Sequence, residues 1–267
     1  MPSLLHISDV HFGPPHLAAL AAGVLRLIAD RRPDALVISG DLTQRAQPRQ
    51  FRAAREFVAR VEVPVLAVPG NHDVPMYRFW ERALQPYAAY RRHFAAELEP
   101  TLRLPGLALV GVNTAFNWTI KGGRFTAAQA RRVAAALDGT PAGSCRVVVA
   151  HHHLLHAPGF DGQPVMRHAD LAARAFAAAG VELVLSGHHH VAWAGSSDEF
   201  FPDARPPFVV VHSGTTTSGR YREGEPGENS CNWIDVSAGE ILVTTLRWRR
   251  DESRFAEHRQ ARFPRRG

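Results

Sequence analysis

Short apolar runs of four to six residues alternate with amphipathic stretches along the first half of this chain. Ser3 to Ser8 reads as a buried strand, and Leu17 to Ile28 as a helix with one apolar face. Pro33 stops the chain ahead of the apolar run Ala35 to Ile38; a second helix is predicted from about Arg49 to Val61, followed by the run Val65 to Val68. Such runs, bounded by turn residues and separated by helical patterns, mark βαβ units. The beat continues through Leu107 to Val112, a helix from Ala127 to Leu137, the strand Arg146 to Ala150, a helix near Asp170 to Ala179, and Val181 to Leu185. It then breaks. Phe208 to His212, Asn232 to Val236 and Ile241 to Leu246 have no helices between them and are expected to form a β-rich second sheet. The predicted fold class is α/β: a four-layer αββα sandwich of two stacked mixed sheets, with helices on both outer faces.

Composition narrows this picture without changing it. A chain of 267 residues that is 45% hydrophobic can bury one large core, so a single domain is expected over residues 1–248. No stretch approaches the roughly eighteen unbroken apolar residues of a membrane helix. The start, Met1-Pro2-Ser3-Leu4-Leu5-His6, shows no basic region followed by a long apolar run. Two cysteines, Cys145 and Cys231, read as small core residues and fit a reducing compartment, so a cytoplasmic location is expected. The net charge is +6, and with Lys121 the only lysine it is carried by arginine. Those arginines read as solvated helix faces or as contacts to an anionic partner. The residues 249–267, with Arg249, Arg250, Arg254, Arg259, Arg262, Arg265 and Arg266, have little apolar periodicity and are expected to be a basic, frayed tail. Nothing in that tail selects nucleic acid over lipid headgroups, and oligomeric state, a dimer included, stays open.

The candidate chemistry lies in five fragments: Asp9-Val10-His11, Gly40-Asp41, Gly70-Asn71-His72-Asp73, His151-His152-His153 and Gly187-His188-His189-His190. Asp9, Asp41 and Asn71 recur about every thirty residues, each just past the carboxyl end of a predicted strand. Open α/β sheets place their ligands there. Asp9 and His11 lie two apart, so an extended loop can turn both toward one ion. His188 and His190 share that spacing, with His189 pointing away. Carboxylate, imidazole and amide donors together suit two adjacent Mn, Fe or Zn ions better than Ca²⁺. Asp-x-His or Gly-Asp alone is common by chance; all five fragments at βαβ spacing are not.

In this order the fragments resemble the calcineurin-like metallophosphoesterase superfamily, whose pattern is D-x-H, G-D, G-N-H-[DE], a histidine after a strand, and G-H-x-H. Within it the chain is most similar to the class III cyclic-nucleotide phosphodiesterase group. The pointers are His6-Ile7-Ser8-Asp9-Val10-His11-Phe12-Gly13, the Asn-His-Asp at Asn71 to Asp73, the compact length, and Ser213-Gly214-Thr215-Thr216. The resemblance implies a dinuclear metal site at the strand ends. Asp9, His11 and His190 would hold one ion, Asn71, His151 and His188 the other, and Asp41 both. His72 would be catalytic rather than a ligand, standing beside the scissile phosphate. Close relatives read His-His-Pro in the fourth block, where this chain has His151-His152-His153-Leu154. Alignment on the strand Val147 to Ala150 makes His151 the ligand, with His152 the alternative one residue on.

The activity so implied is metal-dependent hydrolysis of a small phosphodiester, a cyclic nucleotide leading, by in-line attack of a metal-bridging hydroxide. A phosphomonoesterase, a glycerophosphodiesterase and a nuclease are the alternatives on the same site. A nucleic-acid-binding protein with structural metals is the alternative from another class, and is not favoured. Met76, Tyr77, Phe79 and Trp80 read as packing a helix onto the body, or as an apolar wall beside the substrate. Arg124, Arg220 and Arg222 read as solvated loop residues or as phosphate contacts at the cleft rim.

Overall fold

In the computed structural model, which describes residues 1–119, 121–159, 164–219 and 228–265, the βαβ beat builds the start of one sheet. Strands β1 (Ser3–Ile7), β2 (Ala35–Ile38) and β3 (Val65–Ala67) run parallel, joined by helices α1 (Ala18–Arg31) and α2 (Pro48–Val58). Helix α1 ends where Arg32 turns left-handed and returns its N–H to the Ile28 carbonyl. Helix α2 starts on Pro48, whose missing N–H costs nothing in a first turn. The chain then passes through short helices α3 (Phe79–Leu84) and α4 (Ala88–His93) into strands β4 (Thr101–Leu104) and β5 (Leu107–Val112). Helix α5 (Ala127–Leu137), capped by the Thr126 hydroxyl, precedes β6 (Cys145–Ala150), and α6 (Ala169–Ala178) precedes β7 (Leu183–His190). After β7 come the strands β8 (Trp193–Ser196), β9 (Val209–Gly214), β10 (Ser230–Val236), β11 (Glu240–Arg249) and β12 (Arg254–Pro264), with one short 3-10 turn at Ser197–Glu199.

Two six-stranded mixed sheets result, ordered β12-β11-β10-β1-β2-β3 and β4-β5-β6-β7-β9-β8. Their central strands are apolar at nearly every residue because both faces are covered. Leu5, Ile7, Leu36 and Ile38 pack with α1 and α2, whereas Leu4, Ala35 and Val37 meet the second sheet. Across that interface stand Leu107, Leu109, Val147, Val149, Leu183 and Leu185. Ala108, Val110, Val148 and Ala150 face the other way, onto α5 and α6. Three apolar layers thus separate four layers of structure, as the sequence pattern predicts.

Two expectations are corrected. The late strands do not make a second sheet of their own. β9 inserts into the second sheet parallel to β7, while β10 and β11 extend the first, with β10 antiparallel to β1. Alternation fixes which residues face inward, but it does not fix which strand lies alongside. Nor is the tail frayed. Residues 254–264 form β12, paired antiparallel with β11 along its length, and Phe255 is buried against Trp248 with ring centroids 5.2 Å apart. The tail reads as disordered because it is an edge strand, and charge on an edge strand discourages pairing with another chain. Two of its arginines pair locally: Arg262 with Glu240 at 2.9 Å and Arg265 with Glu182 at 2.7 Å. Both cysteines are buried free thiols, and burial pushes Cys145 up to about 12.

Phe255→Ala should therefore cost about 3–5 kcal/mol of stability in urea unfolding, the range for truncating a buried aromatic. A cost below about 0.5 kcal/mol, ordinary for an exposed position, would mean that β12 does not hold the body.

Candidate metal centre

The strands β1, β2 and β3 of one sheet and β6 and β7 of the other end at the same edge of the sandwich. Asp9, His11, Asp41 and Asn71 follow the first three; His151 follows β6, and His188 and His190 close β7. All seven come together, with His72 beside them. His190 Nε2 lies 3.0 Å from Asp9 Oδ1 and 3.4 Å from His11 Nε2, and His11 Nε2 lies 3.7 Å from Asp41 Oδ2. On the other side, Asp41 Oδ1 lies 3.4 Å from His151 Nε2. Asn71 Oδ1 lies 3.1 Å from that nitrogen and 3.0 Å from His188 Nδ1, and the two nitrogens are 3.3 Å apart. Asp41 thus turns one carboxylate oxygen toward each group of donors.

These separations have a chemical meaning. Nitrogens bonded to one ion at about 2.0–2.1 Å stand a little over 3 Å apart, because their lone pairs converge on a single point. Charge leads to the same place. Asp9 and Asp41 are 0% and 1% exposed, and among the described residues their ion-pair partners are all histidines. Burial raises a carboxyl's pKa, but His190 beside Asp9 and His151 beside Asp41 outweigh it and hold both carboxyls low, Asp9 at about 2. Burial likewise lowers an imidazole, yet the Asp41 and Asp9 carboxylates lift His151 to about 9. Burial prevails at His11, which falls to about 3, and at His188. Two buried anions ringed by imidazoles form a set that divalent cations would neutralise.

In the fourth block, His151 and His152 differ in their contacts. His151 directs Nε2 at Asp41 and Asn71 while its Nδ1 bonds the Ser39 carbonyl at 2.9 Å, an outer contact that fixes the ring. His152 instead sets its Nδ1 2.9 Å from the Thr114 hydroxyl, although its ring remains 4.7 Å from that of His188. His72 contributes its backbone N–H to Asp41 Oδ1 at 2.8 Å. Its Nδ1 lies 3.0 Å from the Gln44 carbonyl, so that nitrogen carries a proton, and its ring lies 4.8 Å from that of His11.

The backbone is strained to reach this arrangement. Asp9, His11, Asp41, His188 and His190 all have positive φ, between +46° and +72°. Such conformations cost a non-glycine residue about 1–2 kcal/mol each, and they persist where the surroundings over-determine them. Sequence reasoning missed the residues that do so. Thr215 donates its hydroxyl to the Asp9 carbonyl at 2.9 Å and Thr217 to that of Val10 at 2.7 Å, while Thr216 accepts the Ser8 N–H at 3.2 Å. Asp73 accepts four hydrogen bonds, from the N–H groups of Gly70, Leu42 and Thr43 and from the Thr43 hydroxyl. It thereby ties the Asp41 loop to the Asn71 loop. Burial and the neighbouring Asp41 charge push its carboxyl up to about 7, against the pull of those bonds. The signal for both was present, in the Gly-Asn-His-Asp quartet and in Ser-Gly-Thr-Thr, but only as resemblance.

The glycines of the motifs are spaces for other ligands. A Cβ on Gly70 would stand 2.2 Å from Asp41 Oδ1, and one on Gly187 would stand 1.8 Å from Ser8 Oγ and 2.6 Å from Asp9 Oδ2. Tyr77 and Trp80 are 76% and 74% exposed, which overturns the expectation that they pack a helix onto the body. The Arg124 guanidinium lies 4.1 Å over the Phe116 ring, and Arg220 and Arg222 fall outside the described residues. A cavity of about 700 Å³ opens at the opposite ends of β6, β7 and β9, among Arg146, Glu182 and Phe208, remote from this chemistry.

The family model described as "Calcineurin-like phosphoesterase" matches residues 2–192. A cAMP/cGMP dual specificity phosphodiesterase of Mycobacterium tuberculosis is 26% identical over 263 residues, covering 91% of this chain and 78% of that protein. A glycerophosphodiester phosphodiesterase of Enterobacter lignolyticus is 34% identical over 80 residues, 26% of this chain and 29% of that protein. Among solved structures, a purple acid phosphatase from yellow lupin superposes with a TM-score of 0.70 at 12% identity, covering 96% of this chain and 52% of that one. The chain thus spans under a third of the glycerophosphodiesterase and about half of the lupin enzyme.

Two substitutions test the frame of the centre. Gly187→Ala should displace the Asp9 carboxylate and abolish Mn²⁺ uptake, read by elemental analysis after dialysis; normal uptake would show that the close approach is not needed. Thr215→Val should cost about 1–3 kcal/mol in urea unfolding by orphaning the buried Asp9 carbonyl.

Proposed function

This chain belongs to the calcineurin-like phosphoesterase family, and on that premise we propose that it is a phosphodiesterase working through a dinuclear centre. The observation that carries the reading is the Asp41 carboxylate, with one oxygen toward His11 and the other toward His151. Asp9, His11 and His190 would hold one ion, Asn71, His151 and His188 the other, and Asp41 both. The mixed oxygen and imidazole donors suit Mn, Fe or Zn. When bound, such ions acidify water and draw charge from phosphoryl oxygens.

The side chains of this protein do the rest. His72 is the catalytic residue, its ring 4.8 Å from that of His11. Its Nδ1–H is anchored on the Gln44 carbonyl, which leaves Nε2 as the atom through which a proton would pass to the departing oxygen as the P–O bond breaks. Water supplies the oxygen that forms the new P–O bond. The exposed faces of Tyr77, Phe79 and Trp80, with the Arg45 guanidinium 5.5 Å over the Tyr77 ring, would receive the organic part of the substrate. A small phosphodiester is favoured over a monoester because the mycobacterial and enterobacterial relatives are both named as diesterases; cyclic nucleotides lead because the mycobacterial match runs nearly end to end. The pairing of Arg262 with Glu240 and of Arg265 with Glu182 counts against the nucleic-acid-binding alternative.

The test compares Mn²⁺-loaded protein on bis-p-nitrophenyl phosphate and p-nitrophenyl phosphate, followed by 3′,5′-cyclic AMP beside a glycerophosphodiester. Diester turnover that disappears in Asp41→Ala is expected; preference for the monoester would replace the reading with a phosphatase. His72→Ala should lower kcat by about 10²–10⁴-fold at unchanged metal content, as loss of a general acid does. A variant that loses its metals as well would instead make His72 a positioning residue.

A further inference from the structure

Four histidines not used at the metal centre, His153, His156, His189 and His212, form a group of their own. His189 sits between His188 and His190 on β7, and the period of two along a strand turns it to the opposite face. There its ring meets that of His153, centroids 3.4 Å apart, with His156 5.5 Å from His153 and 6.0 Å from His189. One ring nitrogen from each of the three falls within 4.8 Å of the others. His212, at the end of β9, is 5.9 Å from His153 and 6.3 Å from His189 by ring centroids. Both ring nitrogens of His153 and of His212, and Nδ1 of His156, are buried without a hydrogen-bond partner in the protein.

That arrangement is costly as ordinary core. A buried polar group without a partner costs about 1–3 kcal/mol, and here several such nitrogens converge amid Leu154, Leu155 and Met166. Leucine or phenylalanine would fill the same volume without the penalty. We propose that His153, His156 and His189, with His212 within reach as a fourth donor, form a third metal site, distinct from the dinuclear centre, that takes a zinc-type divalent ion. An all-imidazole donor set favours Zn²⁺, Co²⁺, Ni²⁺ or Cu²⁺ over Mg²⁺, Ca²⁺ or Mn²⁺, unlike the mixed set around Asp41. An ion there ties the loop after β6, which carries His151, to the end of β7, which carries His188 and His190. The coupling is direct, since the His153 ring stacks on that of His188 at 5.8 Å. The proposal does not depend on the chemistry at Asp41.

The test titrates metal-free protein with Co²⁺ and reads both bound metal and visible absorption. Wild type should bind about one equivalent more than His156→Ala and show the strong visible bands of four-coordinate cobalt, which the variant lacks. His156 is half-buried, and circular dichroism checks that the variant is folded. His156→Cys should regain the lost equivalent and add a thiolate-to-cobalt charge-transfer band in the near ultraviolet, a signal that misfolding cannot produce. Equal uptake by wild type and folded His156→Ala, or a His156→Cys protein without that band, overturns the site.

Discussion

Two ionised carboxylates, Asp9 and Asp41, share one buried corner in which the described residues provide no arginine or lysine partner. Burying a carboxylate costs several kcal/mol unless a cation compensates it, so the corner is stable only with protonated imidazoles or with metal. The rest of that edge follows from the constraint. The ends of β1, β2, β3, β6 and β7 deliver nitrogens and oxygens there, and at Asp9, His11, Asp41, His188 and His190 the backbone is left-handed. The strain is local, and the body that opposes it is large: three apolar layers behind two six-stranded sheets.

The centre is held by a frame as much as by its donors. Thr215, Thr216 and Thr217 clamp the loop that carries Asp9 and His11, and Asp73 locks the Asp41 and Asn71 loops to each other. None of these side chains points an atom into the ion-binding space, yet each fixes where such an atom goes. The glycines ahead of Asn71 and His188 complete the frame by subtraction, since a methyl group there would occupy the place of a neighbouring carboxylate. A metal site assembled from five loops needs such bracing, because a displacement of well under 1 Å already spoils donor geometry.

Strand periodicity also accounts for the division of the histidines. Along β7, His188 and His190 face the carboxylates while His189 faces His153 on the other side of the sheet. The same strand therefore presents two different imidazole environments, one rich in oxygen donors and one almost purely nitrogen. That contrast in donor chemistry sets the two faces apart, although His153 and His188 are stacked neighbours.

The sequence by itself determined the central strands, the helices between them and the order of the motif residues. Buried strands covered on both faces are apolar throughout, and that signal is local: Ala35–Ile38 and Leu107–Val112 fall where the pattern puts them. The strands it left unread, β4, β8 and β12, are edges of the sheets, where one side is open and the apolar signal is diluted. Tertiary structure alone decided that β10 and β11 join β1 rather than β9, because alternation orients side chains without choosing a neighbour. It also decided that His151, not His152, aims at Asp41, a matter of one residue of strand register that no spacing rule fixes. The centre itself belongs to both levels. Its residues were legible because each stands after a strand, but their meeting depends on two separate sheets stacking with those ends at the same edge.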